Sequence, residues 1–334
     1  MQDRVLKKGY KVTFLKKGKF ISHIYQIIKI IKRGNYSLVH SVLLRSNMRT
    51  RFAKLFVSFK HIESLVNPTY TSERFNDKRV NYWGLKFYKF IDKITGRFLV
   101  NHFHSISKSV KEHYITELGV SPSKITVVYR GREIIANEES LFIKSQRQKE
   151  KITFISVGRH EFQKGHIFLL MAIKILAEKN KNIELLVLGR EGEETKQLYD
   201  FVKTNDLEDF VKFIGYIPNI NAYLTEADVF VFPSLYEGMG GALLEAMAAG
   251  LPLALNDIPV FREITNVNEN AVFFNTNNID SIVNCLDFYL NDKNKRIEYG
   301  DKSLKTFKEN FHISLVNEEL YKLLFSQIDE KAIT

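Results

Sequence analysis

Short apolar, β-branched runs alternate along the chain with longer stretches whose apolar residues recur every three or four positions, and the alternation occurs twice. Such a pattern predicts βα units on parallel sheets. In the first half, strands are predicted at 10–15 (YKVTFL), 36–41, 53–59 (AKLFVSF), 98–107 and 125–130. Helices are predicted at 87–98 and at 108–119, where Gly119 supplies a stop. The polar run 136–150 (ANEESLFIKSQRQKE) breaks the pattern and is the predicted linker. Strands then resume at 151–158, 183–189, 211–215, 227–234 and 251–256. The expected fold class is therefore α/β, with two Rossmann-like domains at 1–135 and 151–334, each built on a parallel sheet. The last helix is a candidate to pack back on the first domain.

A chain of 334 residues with 45% hydrophobic content can fill two cores. No window approaches eighteen uncharged apolar residues, and the charged start MQDRVLKKGYKVTF has no signal-peptide core, so a cytoplasmic protein is expected. The single cysteine, Cys285, excludes an internal disulfide and a cysteine-rich zinc site and is read as a small buried residue. The net charge of +11 is unevenly spread: residues 1–134 hold 27 Lys/Arg against 8 Asp/Glu, and the remainder 22 against 30. A basic first half suits nucleic acid, an anionic membrane face or a phosphorylated substrate, and charge alone does not choose among them.

In open α/β sheets ligands sit beyond the carboxyl ends of the strands. Two such places carry chemistry. After the strand at 151–158, the loop VGRHEFQKG places Gly158, Arg159 and Lys164 before an apolar helix, an arrangement suited to phosphate, or else a solvated loop. After the strand at 227–234, PSLYEGMGGALLEAMAAG sets Glu237, Gly238, Met239, Gly240 and Gly241 ahead of a helix carrying Glu245. Glycines there allow close approach to a ligand, and the helix start is electropositive. Two carboxylates so spaced can address different parts of one elongated ligand, or serve only the helix start and the surface.

These segments resemble the E-x7-E signature of retaining glycosyltransferases of family 4, with Glu237 and Glu245 as its carboxylates. VGRHEFQKG (157–165), GYIPNINAYLTEADVFVFPS (215–234) and NDIPVFREI (256–264) resemble further segments of the same family. The resemblance implies the GT-B fold, two Rossmann-like domains facing across a crevice, and transfer of a sugar from a nucleotide-diphosphate donor, UDP favoured over GDP. It implies that Arg159 and Lys164 neutralise the diphosphate without a metal or other cofactor, that Glu245 holds the ribose, and that Glu237 contacts the donor sugar. The amides of Met239–Gly241 would reach sugar or phosphate oxygens. The acceptor would be a glycan or lipid-linked sugar in polysaccharide assembly, presented at an anionic membrane surface; no nucleic-acid partner is expected. Where the family pattern has N-G-(I/V)-D, the chain reads YRGREI (129–134), with Arg130 replacing the asparagine before Gly131.

Among His40, His61, His102 and His104, His61 is the candidate for the acceptor side, and Trp83 is read as core. The family's opening strand has no counterpart before residue 10, so a first domain lacking its first strand, on the order of 20 to 30 residues, is expected. The alternatives are a basic nucleic-acid- or membrane-binding protein with a degenerate transferase domain, and a phosphorylase of the same fold.

Overall fold

The computed structural model describes residues 9, 11–77, 79–136, 146, 150–266 and 268–328. The predicted linker falls almost entirely outside the described residues; only Ala136, Gln146 and Glu150 of it lie within them. In the first half the order is α1 (Phe20–Gly34), β1 (Leu38–Val42), α2 (Leu44–Ala53), β2 (Lys60–Leu65), α3 (Ser72–Asn76), α4 (Tyr82–Leu99), β3 (His102–Ser105), α5 (Lys108–Leu118) and β4 (Ile125–Val127). These strands form one parallel sheet in the order β1-β2-β3-β4, with β1 at an edge.

The second half begins with β5 (Ile152–Val157), α6 (His166–Lys179), β6 (Ile183–Leu188), α7 (Thr195–Thr204), β7 (Val211–Gly215), α8 (Asn221–Glu226) and β8 (Val229–Phe232). It continues with α9 (Gly241–Ala248), β9 (Leu253–Asn256), α10 (Pro259–Ile264), β10 (Ala271–Phe274), α11 (Ile279–Asn291), α12 (Lys293–Asn310) and α13 (Ile313–Ser326). Its parallel sheet runs β10-β9-β8-β5-β6-β7, so chain order reverses beside β5 and β8. The two central strands therefore open a crevice at their carboxyl ends. VFVF of β8 is buried at all four positions, as a strand covered on both faces must be. Cys285 is buried in α11.

Three strand predictions in the first half need correction. Residues 11–15 are irregular, and Tyr10 lies outside the described residues. The run 53–59 is the end of α2 and a turn that exposes Leu55 and Phe56, while the strand follows at Lys60–Leu65. That strand was disguised because it buries His61, Glu63 and Ser64, each matched to a polar partner rather than to an apolar neighbour. The strand expected from residue 98 starts at His102, because α4 runs on to Leu99. Trp83, expected in the core, is 75% exposed on α4.

One ionic knot organises this half. Arg51, fully buried, donates from Nε and Nη2 to the two carboxylate oxygens of Glu63 (2.7 and 2.5 Å) and from Nη1 to Asp92 Oδ1 (2.5 Å) and Thr95 Oγ1 (2.9 Å). Tyr70 Oη donates to the other oxygen of Asp92 at 2.7 Å. Burial alone would lower the Arg51 pKa, but the facing charges of Glu63 and Asp92 outweigh it and raise it.

The halves meet through specific contacts. Glu263 of α10 accepts from the backbone of Lys108 (2.6 Å) and Ser109 (2.7 Å) and from Ser109 Oγ (2.6 Å), capping α5 across the crevice. Ser107 Oγ donates to the Gly238 carbonyl at 2.8 Å. The last helix, α13, packs Val316 and Leu323 on Val128 of the first half, and the Ile313 N–H donates to the Arg132 carbonyl at 2.9 Å.

Removing one partner of a buried ionic knot leaves an uncompensated charge. Glu63→Ala is accordingly expected to destabilise the first domain by about 3–5 kcal/mol in urea denaturation, whereas Lys295→Ala, which breaks an exposed pair with Glu298, should leave the urea midpoint nearly unchanged.

Candidate active site

The β5 and β8 exits bring the two sequence-predicted loops together. Lys164, in a short 3-10 turn between β5 and α6, forms an ion pair with Glu237, and both side chains are largely buried. The ammonium also lies 5.3 Å from the centre of the Phe232 ring at the end of β8. Arg159 sits on the same loop but extends outward, 59% exposed, and pairs with Glu161 at 2.6 Å.

The glycine loop is fixed by what it touches. A Cβ on Gly238 would stand 1.9 Å from the Val66 carbonyl oxygen, just past the carboxyl end of β2, so only glycine admits this approach between the halves. Gly240 has φ +75°, and its place against the Phe232 ring lets α9 start at Gly241. Met239 is buried, and its sulfur accepts from the Arg130 N–H at 3.2 Å. One turn into α9, Glu245 Oε1 accepts from Arg132 Nε at 2.9 Å. The YRGR segment thus delivers two arginines to the glycine loop, a contribution that the departure from the N-G-(I/V)-D pattern marked without placing. Burial first, then the neighbouring Arg132, lower the Arg130 pKa, while Glu237 opposes the change.

Glu237 also lines a cavity of about 480 Å³ between the halves. Its first-half wall includes Tyr70, Ser72, Glu73, His113 and Glu117, and its second-half wall includes Tyr236, Asp257 and Pro259. His113 was not among the histidines singled out by sequence, since it lies on a helix whose spacing reads as packing around Val110, Tyr114 and Leu118. Its Nε2 accepts from the Tyr70 N–H at 3.1 Å, and burial lowers its pKa, so it is neutral at pH 7.

His61, the candidate from sequence, is elsewhere. It lies at the amino end of β2, opposite the crevice edge, is fully buried, and is hydrogen-bonded to Ser41 Oγ at 2.8 Å. Its role is structural, which corrects the acceptor-side assignment. His40, Ser64 and His104 form a chain ending on the Val128 carbonyl; that carbonyl can only accept, so His104 Nε2 donates (2.8 Å) and, in the neutral ring, Nδ1 accepts from Ser64 Oγ (2.8 Å). At the ends of β6 and β7, Arg190 stacks 4.2 Å from the centre of the half-exposed Tyr216 ring, a flat ledge that sequence reading passed over. Among the described residues no group of three or more His, Cys, Asp or Glu converges as metal ligands.

Two adjoining family matches cover nearly the whole chain: residues 137–306 match the glycosyl transferases group 1 family and residues 4–134 match glycosyltransferase family 4. The chain is a group 1 glycosyltransferase. An uncharacterized glycosyltransferase of Haemophilus influenzae is 33% identical over 187 residues, 55% of this chain and 52% of that one, so the match spans about half of that relative. The UDP-Gal:alpha-D-GlcNAc-diphosphoundecaprenol alpha-1,3-galactosyltransferase of Escherichia coli is 27% identical over 84% of this chain and 73% of its own. Among solved structures, Anabaena Alr3699/HepE in complex with UDP-glucose superposes with a TM-score of 0.83 over 97% of this chain and 88% of that one, at 15% identity. That likeness establishes the GT-B fold for this group 1 glycosyltransferase.

Two outcomes follow from this geometry. Gly238→Ala should part the glycine loop from Val66, lowering the melting temperature and cutting sugar transfer at least tenfold. His61 and His166 are buried neutral, and burial first pulls each pKa from 6.5 to about 3. The unfolded chain then binds more protons than the folded one between those values, so stability is full above pH 6.5 and falls as pH drops towards 3. Urea midpoints against pH should show this fall, with a shallower slope for His61→Gln.

Proposed function

We propose that this group 1 glycosyltransferase is a metal-independent, retaining enzyme that moves a sugar from a UDP-sugar to a glycan or lipid-linked acceptor in cell-surface polysaccharide synthesis, working at the cytoplasmic face of the membrane. The observation that carries the reading is the Lys164–Glu237 pair, placed where the β5 loop, the glycine loop and the interdomain cavity meet. Lys164 and Arg159 take the diphosphate, Glu245 the ribose hydroxyls, and the Arg190–Tyr216 ledge the flat base. Glu237 and the amides of Met239–Gly241 hold the donor sugar, and the acceptor enters the cavity beside His113.

In the transfer the bond from the anomeric carbon to the diphosphate oxygen breaks, and its electron pair leaves with the diphosphate. The acceptor hydroxyl bonds to the anomeric carbon on the same face, and its proton passes to the departing phosphate oxygen. Positive charge from Lys164 and Arg159 stabilises that oxygen as negative charge develops. Support for UDP and for a lipid-diphosphate acceptor comes from the substrates named for the Escherichia coli relative and from the UDP-glucose held by the Anabaena structure.

The test is a thermal-shift panel. UDP should raise the melting temperature more than GDP, equally with EDTA or magnesium; no shift with either diphosphate, or a shift that EDTA removes, overturns the donor-site assignment. Lys164→Ala, Arg159→Ala and Glu245→Ala should each weaken UDP binding roughly tenfold or more. Glu237→Ala should keep or tighten UDP binding, because Lys164 loses its own carboxylate, while turnover falls at least a hundredfold.

A further inference from the structure

Helix α4 exposes a continuous aromatic stripe. Trp83, Phe87, Phe90 and Phe98 are 75, 65, 59 and 74% exposed, with Ile94 between them, at spacings of three and four that set them along one face. The opposite face carries Leu85, Asp92 and Gly96 into the domain. At the end of the stripe, Lys54 donates to the Leu99 carbonyl at 3.2 Å, and two residues on from Lys54 the Phe56 ring is exposed as well. A run of this size left in water is far more than scattered surface apolar residues.

The charges on this face identify what covers it. Lys86, Lys93 and Arg97 are interleaved with the aromatics, Lys86 lying 5.4 Å from the centre of the Trp83 ring and Arg97 5.8 Å from that of Phe98. The helix has one carboxylate, Asp92, and it is buried against Arg51. Aromatic rings with cations at their sides and no exposed acid match an anionic lipid surface, where rings enter the headgroup boundary and ammonium groups meet phosphates. A protein partner fits less well, since lysine is depleted at the centre of protein interfaces. Among the described residues no helix is long and apolar enough to cross a membrane, so the segment would lie in the surface rather than span it.

We infer that α4, with the Phe56 turn, docks this protein on an anionic bilayer. The helix itself adjoins the interdomain cavity by its other edge: Tyr82 packs against Phe75 of α3 at 5.5 Å between ring centres, α3 contributes Ser72 and Glu73 to the cavity wall, and Lys89 pairs with Glu117, also on that wall. Docking on α4 therefore holds the cavity mouth near the headgroups, where an acceptor carried on a lipid diphosphate would reach Glu237. The inference deepens the lipid-linked acceptor reading, and its test requires no sugar transfer.

Trp83 is the sole tryptophan, so its emission reports this face alone. With vesicles of phosphatidylcholine containing about one-third phosphatidylglycerol, Trp83 emission should shift to the blue and be quenched by brominated acyl chains. Pure phosphatidylcholine should give a much smaller change. Replacing Phe87, Phe90 and Phe98 together by serine should weaken partitioning roughly tenfold or more, while thermal protection by UDP and the unfolding transition stay as in the parent. Lys86→Glu with Lys93→Glu and Arg97→Glu should remove the preference for anionic lipid. Unchanged emission with both vesicles overturns the inference. So does a blue shift without lipid that grows with protein concentration and accompanies a doubled mass, because a second copy then covers the face. If vesicle binding fails while UDP still protects, only this inference falls and the donor site stands.

Discussion

The buried guanidinium of Arg51 sets the geometry on which both the first-half wall of the interdomain cavity and the outer face of the first domain depend. It binds Glu63 of β2, Asp92 of α4 and, through Asp92, the hydroxyl of Tyr70. Each link fixes something downstream. The Asp92 contact fixes the roll of α4 about its own axis, and with it which residues face solvent; a rotation of half a turn would bury Phe87 and Phe90 and expose Asp92. The Tyr70 contact holds the loop whose N–H meets His113 and whose ring lines the interdomain cavity. An apolar core could stabilise the domain as well or better, but it would not fix one roll angle with the directionality of five charge-assisted hydrogen bonds.

The second constraint is the closeness of the two halves at the glycine loop. Gly238 has no room for a side chain against Val66, and Ser107 and Glu263 clamp the same seam from either side. The carboxylates of the E-x7-E segment therefore do not hang from one domain over an open cleft. Glu237 is held between a C-domain lysine and an interdomain cavity, and Glu245 is held by Arg132 from the chain that joins the domains. The site is a property of the apposed pair, which is why one methyl group on Gly238 should matter more than its volume suggests.

Much of the second domain was legible in the sequence, because its strands are short, apolar and buried on both faces, and its loops carry glycines and charges at strand exits. The β5 and β8 loops could thus be placed at one crevice before any coordinates. The first domain was less legible for a physical reason. Its strands β1, β2 and β3 bury histidine, serine and glutamate in matched pairs, so they lack the apolar runs that announce a strand, while its most aromatic segment is an exposed helix face. Hydrophobicity misled in both directions: AKLFVSF read as a strand and is a helix end and turn that expose Leu55 and Phe56, and KHIESL, read as following a strand, is the strand. His61 was misassigned by the same shift, and His113 was hidden by the helical spacing of its neighbours.

The electrostatics of the crevice add a final step. Lys164, Arg132 and Arg159 each already have a carboxylate of this chain as partner, Glu237, Glu245 and Glu161 respectively. Under the proposed donor assignment, a diphosphate entering here gains by exchanging partners, not by meeting bare charges, so the gain is set by how much better two phosphates serve these cations than single carboxylates do. Such exchange favours a multiply charged, bidentate ligand over chloride or a monoanion. Arg130 differs, since its partly buried guanidinium lies in the opposing fields of Arg132 and Glu237. Arg130 stands where the family pattern has an asparagine, so this part of the crevice carries a cation in place of a neutral amide. If the crevice binds the donor as proposed, the Arg130 charge, felt at Glu237, adds to the pull of Lys164 and Arg159 on the leaving diphosphate without requiring any of the three existing pairs to break first.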